Sequence, residues 1–366
     1  MILRVLHGPA NVGNQPWILS RYERIQGARS NLVVNYNTWL NYPVDRCLSE
    51  YQNKTTCTIL RRAWFALTAP FLYDVLHFYF GRSFFCWDDY GPPNHFWYAD
   101  LKLAKRLGKK VFMTFQGCDA RQSDLSEARN EITMCREGFC QSRPVCRAQL
   151  DSQRREVISR IVPLADRVFV LNPELVHHVP QAVFMPYASV DIESFSPVWP
   201  KTEGPITILH APSNQGIKGT PMIINAVNRL KQRWPIEFIL VEYMAYDRAI
   251  QLYQQADLVI DQTLAGWYGG VAVEAMAMGK PVACYLREQD FDCLPGAMRA
   301  ELPLLNLTPA TIETDLESIF ERRAEWPEWG RRARDYVLRW HNPIIIADAM
   351  LKAYQDPLSK FCLSVE

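Results

Sequence analysis

Neither sign of charge dominates this chain: 40 Lys plus Arg stand against 39 Asp plus Glu in 366 residues, a formal charge of +1. No basic block or acidic tail interrupts that balance, so a nucleic-acid partner, which needs a concentrated cationic footprint, is not expected. Long apolar runs are also missing. None approaches the roughly 20 residues of a membrane-spanning helix, and Met1 runs directly into the strand-like Ile2–Leu6 without a signal-peptide pattern. A soluble, cytoplasmic protein is the expectation. Short-period repeats and low-complexity tracts are absent, which argues against solenoid and disordered architectures. What remains is length: 42.3 kDa is enough for two domains with ample cores.

From residue 204 the pattern alternates strictly. Strands are expected at 206–211, 236–242, 257–261 and 282–286, with helices at 220–232, 247–255 and 271–278 between them. Such alternation calls for a parallel, doubly wound sheet. The first half alternates too, through strands near 2–7, 31–36, 74–80, 110–116, 167–172 and 182–186, with longer and more aromatic intervals. A second Rossmann-like unit is the reading. The proline-rich stretch around Asp191–Pro205 is the expected linker.

The most informative segment is GWYGGVAVEAMAMGKP, residues Gly266 to Pro281. It follows the short apolar strand Asp257–Asp261, and Gly269 and Gly270 permit close backbone approach where a helix begins. Amides at such a helix start suit an anionic ligand. Glu274 is expected in the first turn, with Gly279 and Pro281 ending the helix. A second landmark is Leu209 to Thr220, a strand end and loop that deliver Lys218 just before a helix started by Thr220-Pro221. A cation fixed beside a departing phosphate favours the transition state over the ground state.

From Tyr268 to Val282, aligned on Glu274, this segment resembles the donor-site signature of retaining glycosyltransferases with the GT-B fold, most closely family 4. Lys218-Gly219 resembles the family's Lys-Gly element, and Met185–Pro197 its Pro-x-x-Val-Asp-x-x-x-Phe-x-Pro hinge. The resemblance implies an α/β fold of two Rossmann-like domains with parallel doubly wound sheets facing a central cleft. Residues 1–195 would form the acceptor-side domain and 196–335 the nucleotide-sugar domain, with a C-terminal helix, about 336–366, crossing back to the first. Glu274 would hold the donor ribose, Lys218 the diphosphate, and Tyr268, Gly269 and Gly270 the sugar side. The family's first acidic residue falls on Gly266, a departure at a functional position.

In the first half, Gly13 and Asn14 end the loop after the first strand, and the resemblance implies contacts there to donor phosphate or acceptor. Asp74–Arg82 resembles the family's His-x-His strand, with His77 on the first position and Tyr79 on the second; a core histidine is the competing reading. Strand ends in doubly wound sheets face the ligand, so Asp119 and Arg121 are expected there, as acceptor contacts or as a structural pair. Asp119, Arg121, His77 and Lys218 form the expected catalytic set.

The loop after Arg121 carries Cys135, Cys140 and Cys146, with Cys118 upstream. Four thiols in a long loop are read either as a structural zinc site or as free thiols. No catalytic metal or other cofactor is expected. Arg61–Leu72 mixes cations with aromatics, as a surface helix at a membrane or as a helix buried beside its strand. The expected activity is transfer of a sugar from a nucleotide diphosphate sugar to a hydroxyl acceptor, a glycan or lipid-linked glycan. A sugar-nucleotide epimerase and a catalytically silent partner subunit are the alternatives.

Overall fold

The computed structural model describes residues 2–38, 40–50, 55–86 and 96–365. The chain divides into two compact units. One comprises residues 1–122, 146–189 and 342–366, and the other 123–145 and 190–341. The segment Ser123–Val145 therefore leaves the first half to join the second unit, and the chain passes between units at four points.

The first unit is built on seven strands: β1 (Arg4–Gly8), β2 (Arg29–Val34), β3 (Arg46–Cys47), β4 (Val75–Tyr79), β5 (Lys110–Phe115), β6 (Arg167–Val170) and β7 (Val183–Phe184). Their order is β3-β2-β1-β4-β5-β6-β7, with every pairing parallel. Both β4 and β5 are apolar almost end to end because helices cover both faces of a parallel sheet. Helices α1 (Gln15–Ile25), α2 (Thr56–Leu72) and α3 (Ala99–Arg106) belong to this unit. Phe65, Ala66 and Ala69 of α2 and Leu101 and Ala104 of α3 are buried with Leu76, Phe78, Val111 and Met113 in one core.

The second unit holds β8 (Ile206–His210), β9 (Ile236–Leu240), β10 (Leu258–Ile260), β11 (Val282–Cys284) and β12 (Leu305–Asn306), all parallel, in the order β12-β11-β10-β8-β9. Its core joins Ile206, Ile208, Leu258 and Ile260 to Ile223, Val227 and Leu230 of the helix Thr220–Leu230. The two-residue strands β3 and β12 were not expected; each adds an edge too short to leave a periodic pattern. In each sheet the direction of strand addition reverses once, between β1 and β4 and between β8 and β10. Loops leaving such switch points form the ligand crevice of doubly wound sheets.

The helical tail expected from the sequence is broken at Asn342, whose side chain accepts from the Ile344 amide to start the helix Pro343–Gln355. That helix packs on α1, while the preceding helix, Trp326–Trp340, packs on Gly270–Ala277 in the second unit. Tyr354 of the last helix reaches His77 on β4, with its hydroxyl 2.7 Å from Nδ1, and Thr114 Oγ1 lies 2.7 Å from Nε2. Both ring nitrogens are thus occupied and the side chain is fully buried. Burial, and then the neighbouring His7, push its pKa well below the usual histidine range. His77 is a neutral core histidine, and this corrects its expected place in a catalytic set. Tyr354→Phe removes the short contact to Nδ1 and leaves that nitrogen only the Tyr79 hydroxyl, 3.4 Å away. A loss of about 1–3 kcal/mol is expected in urea unfolding, with Tyr354→Leu losing more; an unchanged midpoint would contradict this account.

Candidate functional site

The loop after β8 and the end of β10 flank the switch point of the second sheet, and there Lys218 meets the helix start at Gly269. Asn214 caps a single helical turn, Gln215–Lys218, its Oδ1 accepting from the Ile217 amide at 3.0 Å. Lys218 Nζ then lies 2.6 Å from Asp261 Oδ1. The other oxygen of Asp261 accepts from the Gly269 amide at 2.6 Å, at the start of the helix Gly270–Ala277. One fully buried carboxylate therefore fixes both the cation and the helix start. The Thr263 amide donates to the Lys218 carbonyl at 3.1 Å, which holds the backbone of the loop as well.

In the run Asp261–Lys280 only Ala265 and residues 269–271 are half-buried, and around Gly270 there is open space. Lys218, Gly269 and Gly270 are brought together at this helix start. Asp261 was missed, because it reads as the polar end of an apolar strand and gives no motif signal.

Glu274 is the fifth residue of a helix that begins at Gly270, one residue earlier than expected, and so lies just past the first turn. Burial raises its pKa to about 8, opposed by a hydrogen bond from Tyr246 and reinforced by Asp261. At neutral pH it is mostly a protonated acid. His210, ending β8, is held neutral as well: burial takes its pKa to about 4, Nδ1 donates to the Ile260 carbonyl at 2.7 Å, and Nε2 takes the Thr220 hydroxyl at 2.8 Å.

Tyr268 departs from expectation. Its ring is fully buried and its hydroxyl bonds His341 Nε2 at 2.8 Å and Tyr336 at 3.1 Å, so it anchors the helix Trp326–Trp340 rather than a sugar. Gly266, where the resemblance asks for an acid, has φ +82°, and a Cβ there would sit 2.8 Å from Arg287 Cζ. Arg287 is itself buried, donating to Asp290 at 3.1 Å and to the Ile132 carbonyl at 2.6 Å. The place of a side chain at 266 is filled by this guanidinium.

Ile132 belongs to the segment Ser123–Val145, which covers this loop region. Met134 and Cys135 pack with Leu264, and Ile217 and Ala265 adjoin them. Gly216 admits no side chain because the Phe139 carbonyl already touches that position. Of the two readings of the cysteines, the zinc site is not supported. Cys118 and Cys146 belong to the first unit and Cys135 and Cys140 to the second, and among the described residues no group of His, Cys, Asp and Glu could hold a metal. All four are free thiols.

In the first unit, Asp119 accepts from the Gln116 and Gly117 amides at 3.0 and 2.6 Å and so shapes its own turn. Arg121 is paired with the buried Glu174, Nε to Oε1 2.7 Å, and also reaches Cys118. Both serve the turn after β5, where the Arg121 charge also acts on Asp119. The loop from β1 to α1 is different. Gly13 and Asn14 are both left-handed, with φ +61° and +58°. Asn11, Asn14, Gln15, Asn35 and Ser189 are all buried, yet Asn11 Oδ1, Asn14 Oδ1, Gln15 Nε2, Asn35 Oδ1 and Ser189 Oγ have no protein partner. They are joined through this loop: the Asn35 amide donates to Pro9 O at 2.8 Å, and Gln15 Oε1 accepts from Ala188 N at 2.6 Å. Only Asn14 was anticipated.

No family profile and no curated protein matches the chain by sequence. Solved structures do match in fold. Sucrose-phosphate synthase from Thermosynechococcus elongatus aligns with TM-score 0.59 at 14% identity, covering 98% of this chain and 99% of that one. The catalytic domain of starch synthase IV from Arabidopsis thaliana, bound to ADP and acarbose, gives 0.57 at 12% over 98% and 100%. Anabaena HepE in complex with UDP-glucose gives 0.56 at 13% over 97% and 100%. The chain has the GT-B fold. UDP-GlcNAc 2-epimerase from Neisseria meningitidis shares it at TM-score 0.52 and 11% identity, covering 97% and 99%. These likenesses span both units of the GT-B chain and establish its fold; family 4 membership is not established by them.

Two measurements probe the site. Gly266→Asp supplies the acid that the resemblance asks for, but it must displace Arg287 at a positive φ. We expect a loss of about 2–5 kcal/mol in stability and no gain in turnover; a variant of wild-type stability with raised turnover would refute this. Glu274 binds a proton in the folded chain up to about pH 8 but not in the unfolded chain above the usual carboxyl range. Stability from this group therefore falls as pH rises from about 4.5 to about 8. Glu274→Gln removes that slope, so its melting temperature should exceed that of the wild type at pH 9 by more than at pH 5. Parallel pH profiles for the two proteins would overturn the assignment.

Proposed function

We propose that this protein is a retaining glycosyltransferase that takes a sugar from a nucleotide diphosphate sugar and passes it to a hydroxyl acceptor. The observation carrying this reading is the convergence of Lys218, the helix start at Gly269–Gly270 and the buried acid Glu274 at the switch point of the second sheet. Lys218 and the amides suit a diphosphate, and Glu274 suits the two adjacent hydroxyls of a ribose. The complexes of HepE with UDP-glucose and of starch synthase IV with ADP support a donor of this class.

In the reaction, the bond between the anomeric carbon and the phosphate oxygen breaks and the diphosphate leaves with the electron pair. The acceptor hydroxyl attacks on the same face and loses its proton to that departing oxygen. Lys218 exchanges Asp261 for the developing phosphate charge, so the cation is already oriented when the charge appears. The unpaired polar atoms of Asn11, Asn14, Gln15, Asn35 and Ser189 favour an acceptor rich in hydroxyls, a glycan or lipid-linked glycan, since they include three amide oxygens and no cation. The cytoplasmic assignment belongs to the same reading. Gly266 favours one second reading, a donor-binding partner without turnover, because the sugar-side acid is replaced there by Arg287.

Release of free nucleoside diphosphate from a panel of UDP-, ADP- and GDP-sugars, with and without glycan acceptors, decides among these. Acceptor-dependent release is expected. Lys218→Ala should lower kcat/KM by about 100-fold or more with folding intact. Isomerised donor would instead identify an epimerase, binding without release a silent subunit, and unaffected turnover in Lys218→Ala would sink the site.

A further inference from the structure

Among the described residues, one face of α2 is left exposed to solvent. Phe65, Ala66, Ala69 and Pro70 are buried against the sheet, but Leu60, Trp64, Leu67, Phe71 and Leu72 are 64%, 72%, 47%, 60% and 56% exposed. Residues 60, 64, 67 and 71 follow the spacing of a single helical face. Isolated exposed apolar side chains are ordinary on a protein surface; a continuous row including Trp and Phe marks an interaction site.

Among the described residues, the exposed charges on α2 and α3 themselves have one sign. On α2 the ionisable side chains apart from Cys57 are Arg61 and Arg62, of which Arg62 is buried on the Cys86 carbonyl and Arg61 is exposed. The adjoining α3 exposes Lys102 and Arg106, while its Lys105 is neutralised by Asp166 at 2.7 Å. Asp100, the one acid on either helix, is fully buried and accepts from the Phe84 amide at 2.9 Å. An apolar row with Trp64 in it, beside exposed cations, matches the boundary of an anionic bilayer, where indole rings sit among headgroups and Lys and Arg meet lipid charge. A second copy of this chain fits less well, since a twofold pairing of this face brings like charges together.

We propose that α2, with the basic edge of α3, is a peripheral docking surface for anionic lipid, which lays the first unit on a bilayer with the α2 axis along the surface. Among the described residues no helix is long and apolar enough to cross a membrane, so this contact is interfacial. The inference does not depend on the glycosyltransferase reading, because it rests on residues outside that site.

The test is flotation of the full chain with vesicles of phosphatidylcholine, with and without phosphatidylglycerol. Binding is expected with the anionic vesicles and should weaken as salt rises. Leu60→Gln/Trp64→Gln/Phe71→Gln, all at exposed positions, should reduce it by about tenfold or more. Lys102→Glu/Arg106→Glu should reduce it by several-fold on anionic vesicles alone. An unchanged melting temperature would show that the first variant keeps the fold. Failure of the wild-type chain to float, or equal flotation of the triple variant, overturns the proposal. So does a wild-type dimer in sedimentation that the triple variant abolishes, because the face would then be covered by a second copy.

Discussion

A single buried carboxylate organises the second unit's site. Placing the Asp261 side chain out of water costs several kcal/mol unless its charge is met, and the structure meets it twice, with the Lys218 ammonium and the Gly269 amide. Those partners come from different elements, a turn after β8 and the start of a helix after β10. The carboxylate therefore fixes the distance between them before any ligand arrives. It presents to both groups the same kind of charge that a phosphate would bring. Its proximity also helps explain Glu274: two acids in one apolar pocket do not ionise equally, and the one without a cation keeps its proton.

Much of this architecture is legible in the residues themselves. Alternating short β-branched runs and amphipathic helices specify doubly wound sheets, and the sequence places Lys218 and Gly269 on the elements where the structure has them, before and at a helix start. The misreadings share a physical cause. Tyr268 occupies a motif position, but its direction is decided by Tyr336 and His341, some seventy residues later. His77 lies on an apolar strand whose polar partner, Tyr354, comes 277 residues on. Periodicity reports which face of an element is apolar; it says nothing of which distant element will meet that face.

Gly266 illustrates how a departure from a motif is absorbed structurally. The missing side chain leaves no void, because Arg287 fills the space and is satisfied by Asp290 and the Ile132 carbonyl. Ile132 belongs to the segment that came from the first half of the chain. The local chemistry around Gly266 is thus set by an arginine and an imported loop together, and neither is adjacent to the motif.

That imported loop has a consequence for the order in which the protein is made. The second unit takes Ser123–Val145 from a stretch synthesised before any of its strands, and those residues hold the lids over Leu264 and Gly216. The first unit, in turn, receives its last helix only when residues 342–366 leave the ribosome. Neither unit is complete until the other has been largely translated. Early segments must wait with apolar surface uncovered, and the two Rossmann-like halves finish as interdependent products of one synthesis rather than as domains added in turn.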